Sequence, residues 1–361
     1  MNALEALLHY PLDTPTGETL PAAGSSLEIS PGVRWIRMAL PFALNHINLW
    51  LLRDELDGQQ GWTVVDCCID RAESRAQWEQ IFASELQGLP ILRVIATHMH
   101  PDHIGLAHWL CERWSTPEHT CRLWISATDY NAAKNACQVA AGHGGEAAAN
   151  FVQSHGLNNP EHLQMIRERS NYYRQMVPAV PASYVRIMDG MRIKIGAHQW
   201  QCIAGYGHSP EHIALSCPDL KFLISGDMML PRISTNVSVY DLEPLANPLA
   251  LFLESINRFA PLHEVTLTLP SHGKPFTGLH ERIRQLHQHH QERLAEVIEA
   301  CREKPTTARE IVAIMFKREL DLHQLTFAQG EALAHLHLLW FEGRLERKLR
   351  NGEYRFSTPA D

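Results

Sequence analysis

The sequence predicts an α/β fold: two β-sheets packed face to face with helices outside, a helical insertion, and a C-terminal helical unit. Three observations predict it. Strand-like apolar or alternating runs recur in two blocks, 33–126 and 191–269, each interleaved with helical periodicity. The stretch from about 128 to 187 reads as helices instead. Beyond residue 280, long amphipathic helices take over and a hairpin signal closes the chain.

In chain order, residues 9–33 are rich in Pro, Gly, Thr and Ser and read as an extended lead-in. Residues 33–38 alternate as a half-buried strand does, and 47–52 are nearly all apolar, as in a strand covered on both faces. Residues 62–66 make a third strand, ending on Asp66. A helical period over 71–86 leads to the apolar run 91–96, followed by a helix from 106 to 110 and a strand over 122–126. The insertion reads as helices over 132–141, 146–153 and 160–176, broken at Gly142-His143-Gly144-Gly145 and at Gly156 to Pro160. Strands resume at 191–195, 200–204, 213–216 and 221–225, then a helix over 249–259 and a last strand over 265–269.

The tail, 281–361, starts with an amphipathic helix over 281–302, striped by Ile283, Leu286, Leu294, Val297, Ile298 and Cys301. Pro305-Thr306-Thr307 opens a second helix with hydroxyl capping, and 327–341 makes a third, stopped by Gly343. Asn351-Gly352 between 345–349 and 353–356 spells a hairpin with a type I′ turn. Helices followed by a two-stranded hairpin describe a small winged-helix unit. The expected division is a catalytic domain over 1–280, with the insertion inside it, and the tail over 281–361.

Composition narrows the function classes. A chain of 361 residues with 45% hydrophobic and 20% charged side chains is an ordinary globular protein with ample core. The tail holds 13 basic and 13 acidic residues, so the whole net charge of −8 lies in 1–280. An acidic catalytic module is a poor partner for a polyphosphate backbone, which weighs against nucleic acid as a partner. The N-terminus lacks the features of a secretory leader and no stretch is long and apolar enough for a membrane span. The eight cysteines show no C-x-x-C pair, so the expectation is reduced, buried thiols in a cytoplasmic protein.

The chemistry sits in four segments. Thr97-His98-Met99-His100-Pro101-Asp102-His103 follows the apolar run 91–96 directly. Gly207-His208-Ser209-Pro210-Glu211-His212, Ser225-Gly226-Asp227 and Ser271-His272-Gly273 follow later strands. Neutral imidazole and carboxylate are the ligands that hold catalytic dications. A strand ending in H-x-H-x-D-H splays such groups off one loop, and the later segments can complete the shell. With 22 histidines in the chain a lone His-x-His would mean little; four ligand-type residues within six positions, plus three companion segments, point to a two-metal hydrolase site.

These segments resemble the metallo-β-lactamase-fold superfamily, an αββα sandwich with its metal site along one edge of the two sheets. The resemblance covers about residues 30–280 and is nearest the glyoxalase II-like hydrolases. The tail is similar to the winged-helix appendage of the lactamase-β-2-like branch, as is the stretch Gly226-Asp227-Met228-Met229-Leu230-Pro231-Arg232-Ile233. Position by position, the resemblance implies one ion on His98, His100 and His208, a second on Asp102, His103 and His272, and Asp227 bridging both. It implies two divalent ions, zinc first, with iron or manganese compatible with the same shell. Asp102 has a second candidate role in orienting the attacking water, which makes Asp102 and Asp227 the candidate catalytic residues. Asp66 is a candidate acceptor for a ligand imidazole, or a capping carboxylate.

Departures from the pattern narrow the branch. His100 stands where the oxygen-reducing diiron branch has glutamate, and Asp227 where the antibiotic-cleaving enzymes lack a bridging carboxylate. Ser-Pro-Glu-His around His208 differs from the Thr-x-Gly-His of glyoxalase II, whose glutathione-binding basic residues have no counterpart. No further histidine motif of the β-CASP nucleases follows His272. Tyr206 and Arg232 flank ligand segments as candidate substrate contacts. Tyr172, Tyr173 and Arg174 read mainly as helix packing, His212 as a histidine beside the site without ligand duty, and His287, His289 and His290 as a solvated helix face. The expected function is hydrolysis of a small-molecule thioester, then a lactone or other ester, by metal-activated water. An endoribonuclease of the lactamase-β-2-like kind is the alternative, and a non-enzymatic binding protein with a vestigial site the third reading. The winged-helix unit is compatible with a homodimer, and the sequence leaves the oligomeric state open.

Overall fold

A computed structural model of the chain describes residues 7–14, 17, 19–138, 144–169 and 171–359. Its first sheet has seven strands in chain order: β1 (Ser26–Ser30), β2 (Val33–Ala39), β3 (His46–Leu56), β4 (Gln59–Val65), β5 (Ile91–Ile95), β6 (Arg122–Ile125) and β7 (Tyr184–Arg186). The second has five: β8 (Arg192–Ile195), β9 (His198–Gly205), β10 (His212–Cys217), β11 (Phe222–Gly226) and β12 (Leu267–Pro270), again as neighbours in sequence. Helices α1 (Ala72–Ser84), α2 (Pro101–Ile104), α3 (Ala107–Trp114) and α4 (Ala127–Ala136) fall between strands of the first sheet. So do α5 (Gly145–Ser154), α6 (Pro160–Glu168) and α7 (Tyr172–Met176). Helix α8 (Pro248–Asn257) precedes β12, and α9 (Leu279–Glu303), α10 (Ala308–Met315) and α11 (Leu322–Phe341) lead to the hairpin β13 (Glu346–Arg350) and β14 (Glu353–Ser357).

The layering follows from strand periodicity. Along β3, Trp50 and Leu52 join Trp35, Trp200, Cys202, Ile213 and Ile224 in the core between the sheets. Their neighbours Leu49 and Leu51 point the other way, into a core shared with Trp78 and Ile81 of α1 and Leu110 of α3. Ile203 on β9, Ala214 on β10 and Leu223 on β11 face outward into a third core with α8, α9 and α11. Both faces of each sheet are covered, which is why 47–52 carries no polar alternation except Asn48, whose amide donates to Pro270 O at 2.8 Å.

The tail shares that outer core: Val297, Leu333, Leu336 and Phe356 pack with Phe252 and Leu223. Thr307 caps α10 in a full capping box with Glu310. Asn351 and Gly352 take φ of 51° and 83°, the type I′ turn expected from Asn-Gly.

Several boundaries differ from expectation. The lead-in contains the edge strand β1, and the stretch read as a helical insertion contains β7, paired parallel to β6. The expected helix 132–141 starts earlier, at Ala127, where Ser126 caps it by accepting from Asp129 N; residues 139–143 lie outside the described ones. The expected helix 160–176 is two helices. Helix α11 starts five residues before the expected 327, because the Asp321 carboxylate accepts from Gln324 N and caps it there. His290 is a correction: it is not on a solvated face but fully buried, its Nδ1 3.2 Å from His335 Nε2.

Candidate metal centre

Each ligand segment sits where a strand ends. The chain leaves β5, forms the 97–100 turn and enters α2, so His98, His100, Asp102 and His103 fan out from one short stretch. The loop between β9 and β10 supplies His208, the end of β11 supplies Asp227, and the end of β12 supplies His272. Chain reversals there require glycine. At Gly226, with φ of 52°, a Cβ would lie 2.1 Å from His212 Nε2.

The structure brings all seven predicted side chains together in two groups. His98 Nε2, His100 Nδ1 and His208 Nε2 lie 2.9, 3.1 and 3.2 Å from one another, and His208 Nε2 is 3.2 Å from Asp227 Oδ2. Asp227 Oδ1 faces the other group, 3.5 Å from His103 Nε2 and 3.4 Å from His272 Nε2. Asp102 Oδ2 completes it at 3.6 Å from His103 and 3.4 Å from His272. Asp227 thus offers one oxygen to each group.

The donor chemistry fits dications. Nitrogens about 2.0–2.1 Å from a tetrahedral zinc stand about 3.3 Å apart, close to the spacing found. Among the described residues, the buried atoms His103 Nε2 and Asp227 Oδ1 have no hydrogen-bond partner. Burial pushes His98 and His100 well below the usual imidazole range, aided by the neighbouring rings. Against burial, Asp66, Asp102 and Asp227 lift His103 to about 9, and Asp227 and Asp102 lift His272 to about 10. One group therefore presents neutral lone pairs, while the other demands positive charge.

The chain matches the Metallo-beta-lactamase superfamily over residues 44–299, more than half its length. It belongs to that superfamily. Residues 294–359 match a second domain, Metallo-beta-lactamase-like, C-terminal. A beta-lactamase domain protein from Burkholderia ambifaria is 54% identical, covering 99% of this chain and 100% of its own, with a TM-score of 0.92. A metallo-beta-lactamase family protein from Thermus thermophilus has the same fold, with a TM-score of 0.72 at 24% identity over 92% of this chain and 100% of its own. A Bacillus subtilis protein named probable metallo-hydrolase YqjP is 24% identical over 333 residues, 90% of this chain and 97% of its own.

Around this metallo-beta-lactamase centre, each Nε2-presenting ring is turned by its other nitrogen. His103 Nδ1 donates to Asp66 Oδ2 at 2.8 Å, His208 Nδ1 to Asn236 O at 2.7 Å, and His272 Nδ1 to His46 O at 2.7 Å. His98 Nδ1 meets Thr97 Oγ1 at 3.0 Å, and that hydroxyl donates to Asp66 Oδ2 at 2.9 Å. Asp66 therefore steers two ligand rings rather than acting only as a cap. His212 touches the centre without joining it: its Nε2 accepts from Asp227 N at 3.2 Å.

Asp129 went unrecognised in the sequence. Fully buried, it accepts from Met99 N at 2.8 Å and Glu211 N at 2.5 Å, tying the His98–His103 turn to the His208–His212 loop. Burial lifts its carboxyl to about 6, with those two amides opposing. Its one local signal is the capping pattern Ser126-x-x-Asp129. Tyr173, read as helix packing, donates its hydroxyl to Met99 O at 2.5 Å.

The two candidate substrate contacts lie outside the ligand cluster. Tyr206 is half-buried against the inter-sheet core, with its amide donating to Ser255 Oγ at 2.8 Å, and Arg232 is solvent-exposed. The side chains next to α2 are different ones. Helix α7 packs on α2, and the Tyr172 hydroxyl bonds His323 of α11, whose ring stacks on Phe42 with centroids 6.0 Å apart. Burial, and more weakly Asp102, pushes the Tyr172 phenol up to about 12, with Arg169 opposing.

Proposed function

We propose that the chain is a binuclear metal-dependent hydrolase acting on a thioester, or another ester-like carbonyl, of a small molecule. The observation that carries this reading is the division of Asp227: one carboxylate oxygen faces His98, His100 and His208, the other His103, His272 and Asp102. His98, His100, His208 and Asp227 would hold one ion, and Asp102, His103, His272 and Asp227 the other. Zinc is the first expectation, with iron or manganese accepted by the same donors. Two dications in such a site lower the pKa of water towards neutrality and polarise a substrate oxygen.

The chain's own residues supply the rest. With both ions bound, Asp227 would reduce their mutual repulsion, and Asp102, with the larger exposure of the two carboxylates, would orient water. Asp66, Thr97 and the carbonyls of His46 and Asn236 hold the rings so that the lone pairs converge. Half-buried Phe42 and Tyr172 meet through His323, and Tyr172 lies on α7, which packs on Asp102's helix; this aromatic surface would suit a small substrate.

The endoribonuclease alternative has less support. In and just before the hairpin, Arg344, Lys348 and Arg355 pair with Glu342, Glu346 and Glu353, and Arg347 lies over Trp340 and Tyr354 at 3.9 and 4.7 Å. The interleaved carboxylates make this surface mixed in sign rather than a basic patch for a phosphate backbone. The test is a panel of thioesters, lactones and RNA offered to zinc-loaded and chelator-treated protein. Ester-type hydrolysis lost with the chelator and restored by metal is expected. Salt-sensitive RNA cleavage with no ester turnover would overturn the reading.

A further inference from the structure

The loop after β11 carries Asp227 at its start and, at Asn236, the carbonyl that orients His208. The tail helices hold this loop from both sides. Arg282 of α9, buried, donates to Leu230 O at 2.7 Å and to Ile233 O at 2.9 Å. On the α11 side, Val239 N donates to Gly330 O at 3.1 Å, and a Cβ on Gly330 would lie 2.7 Å from Ser238 Cβ. The Asn236 amide is held at both ends: Ser238 Oγ donates to its Oδ1 at 2.8 Å, and its Nδ2 donates to Glu331 Oε2 at 3.3 Å.

We propose that Glu331, on the C-terminal helix, is a positioning residue for the metal centre, acting through Asn236 on the ring of His208. The proposal rests on the metal-centre reading above. His208 can present a lone pair from Nε2 only while Nδ1 keeps its proton, and the acceptor for that proton is Asn236 O, 2.7 Å away. A backbone carbonyl in an irregular loop has no sheet or helix to fix its direction. Here the same residue's side chain fixes it, and the far anchor of that side chain is a carboxylate on a helix with a well-packed core. Glu331 is half-buried, and burial lifts its carboxyl to about 7 with Asn236 opposing. Among the described hydrogen bonds its side chain has one partner, the Asn236 amide.

The reading separates from a plain anchoring role by what each variant loses. Glu331→Ala and Asn236→Ala should each weaken Zn²⁺ binding by about tenfold or more, as outer-shell partners of ligands do. Glu331→Gln keeps an acceptor oxygen and should stay within about threefold of the parent. The double variant Glu331→Ala with Asn236→Ala should be no worse than either single one, since both cut the same path. Zinc affinity is read by competition with a chromogenic chelator on the full chain. In parallel, ¹⁵N spectra of the histidine rings in metal-free protein read the Nδ1–H of His208, which should shift or broaden in both alanine variants and not in Glu331→Gln.

Zinc affinity and a His208 signal unchanged in Glu331→Ala would overturn the proposal, as would Glu331→Gln failing as badly as Glu331→Ala. Should Glu331→Ala not fold, Asn236→Ala decides in the same way: parental zinc affinity and an unchanged ring signal would sink the path. A parent chain that takes up no zinc would end the metal-centre reading itself, and the ring spectra would then judge the Glu331 path alone.

Discussion

Asp66 stands at the end of β4 with its carboxylate 2.8 Å from the Nδ1 of His103, and it adopts this position at a φ of 60°. Such a conformation costs a residue other than glycine of order 1 kcal/mol and persists where the surroundings fix it. Here Thr97 N and Thr97 Oγ1 also bind the carboxylate, at 2.8 and 2.9 Å. One side chain thereby locks the ligand turn and turns His98 and His103.

Asp66→Asn tolerates the left-handed backbone and keeps the shape, but removes the charge facing His103. Zinc affinity should fall by roughly 10- to 100-fold with the fold retained. Chelator competition, alongside circular dichroism, checks it; parental affinity would show that the Asp66 charge is idle.

A second prediction concerns stability away from the site. Arg93 on β5 pairs with Asp54 on β3 at 2.7 Å, both fully buried, and Asp54 also accepts from Thr63 Oγ1 at 2.6 Å and Gly196 N at 2.9 Å. The pair links the first sheet to the turn after β8. Arg93→Met leaves Asp54 charged, buried and without its cation, and should cost about 3–5 kcal/mol in urea unfolding. Metal content per folded molecule should not change. A loss under about 1 kcal/mol would contradict the account.

A third prediction is a pH dependence of the tail. Burial, with neighbouring positive groups, depresses His290 to about 2 and His335 to about 4; a backbone bond to Glu331 O opposes it at His335. The unfolded chain protonates both rings near 6.5, so it binds more protons than the folded chain below that pH. Stability contributed by these neutral rings is present above 6.5 and is lost as pH falls towards 4. Glu331, lifted to about 7, works in the opposite direction, so the wild-type curve alone is not the measure. His335→Asn keeps a donor for Glu331 O and removes one titration. The difference between wild type and variant should change by roughly 1–3 kcal/mol between pH 7 and pH 4. Parallel unfolding curves over that range would refute it.

How far the sequence spoke can be seen in particular residues. The seven clustered groups were legible because each lies at a strand end beside a local marker: His-x-His-x-Asp-His, Gly-His, Gly-Asp, Ser-His-Gly. The strands of the two sheets were legible because full burial leaves unbroken apolar runs. The strand Tyr184–Arg186 was not, being three residues long and set at the sheet edge by its pairing with β6 and the stacking of Tyr184 on Tyr130. Asp129 was hidden for a related reason, since a single carboxylate gains meaning only when folding brings Met99 and Glu211 amides to it. His290 misled because His287, His289 and His290 together look polar, while helix geometry turns one of them inward onto His335. The contact of Tyr172 with His323 was not legible, because the two come together only when the tail docks against the insertion.

The central claim is tested most directly by counting metal ions in purified, zinc-reconstituted protein, for the wild type and for Asp227→Ala and His100→Ala. Two ions per chain are predicted for the wild type, with loss of bound metal and of ester hydrolysis in both variants while the melting transition survives. A wild type that binds no metal, or an Asp227→Ala protein that keeps both ions and full turnover, would contradict it.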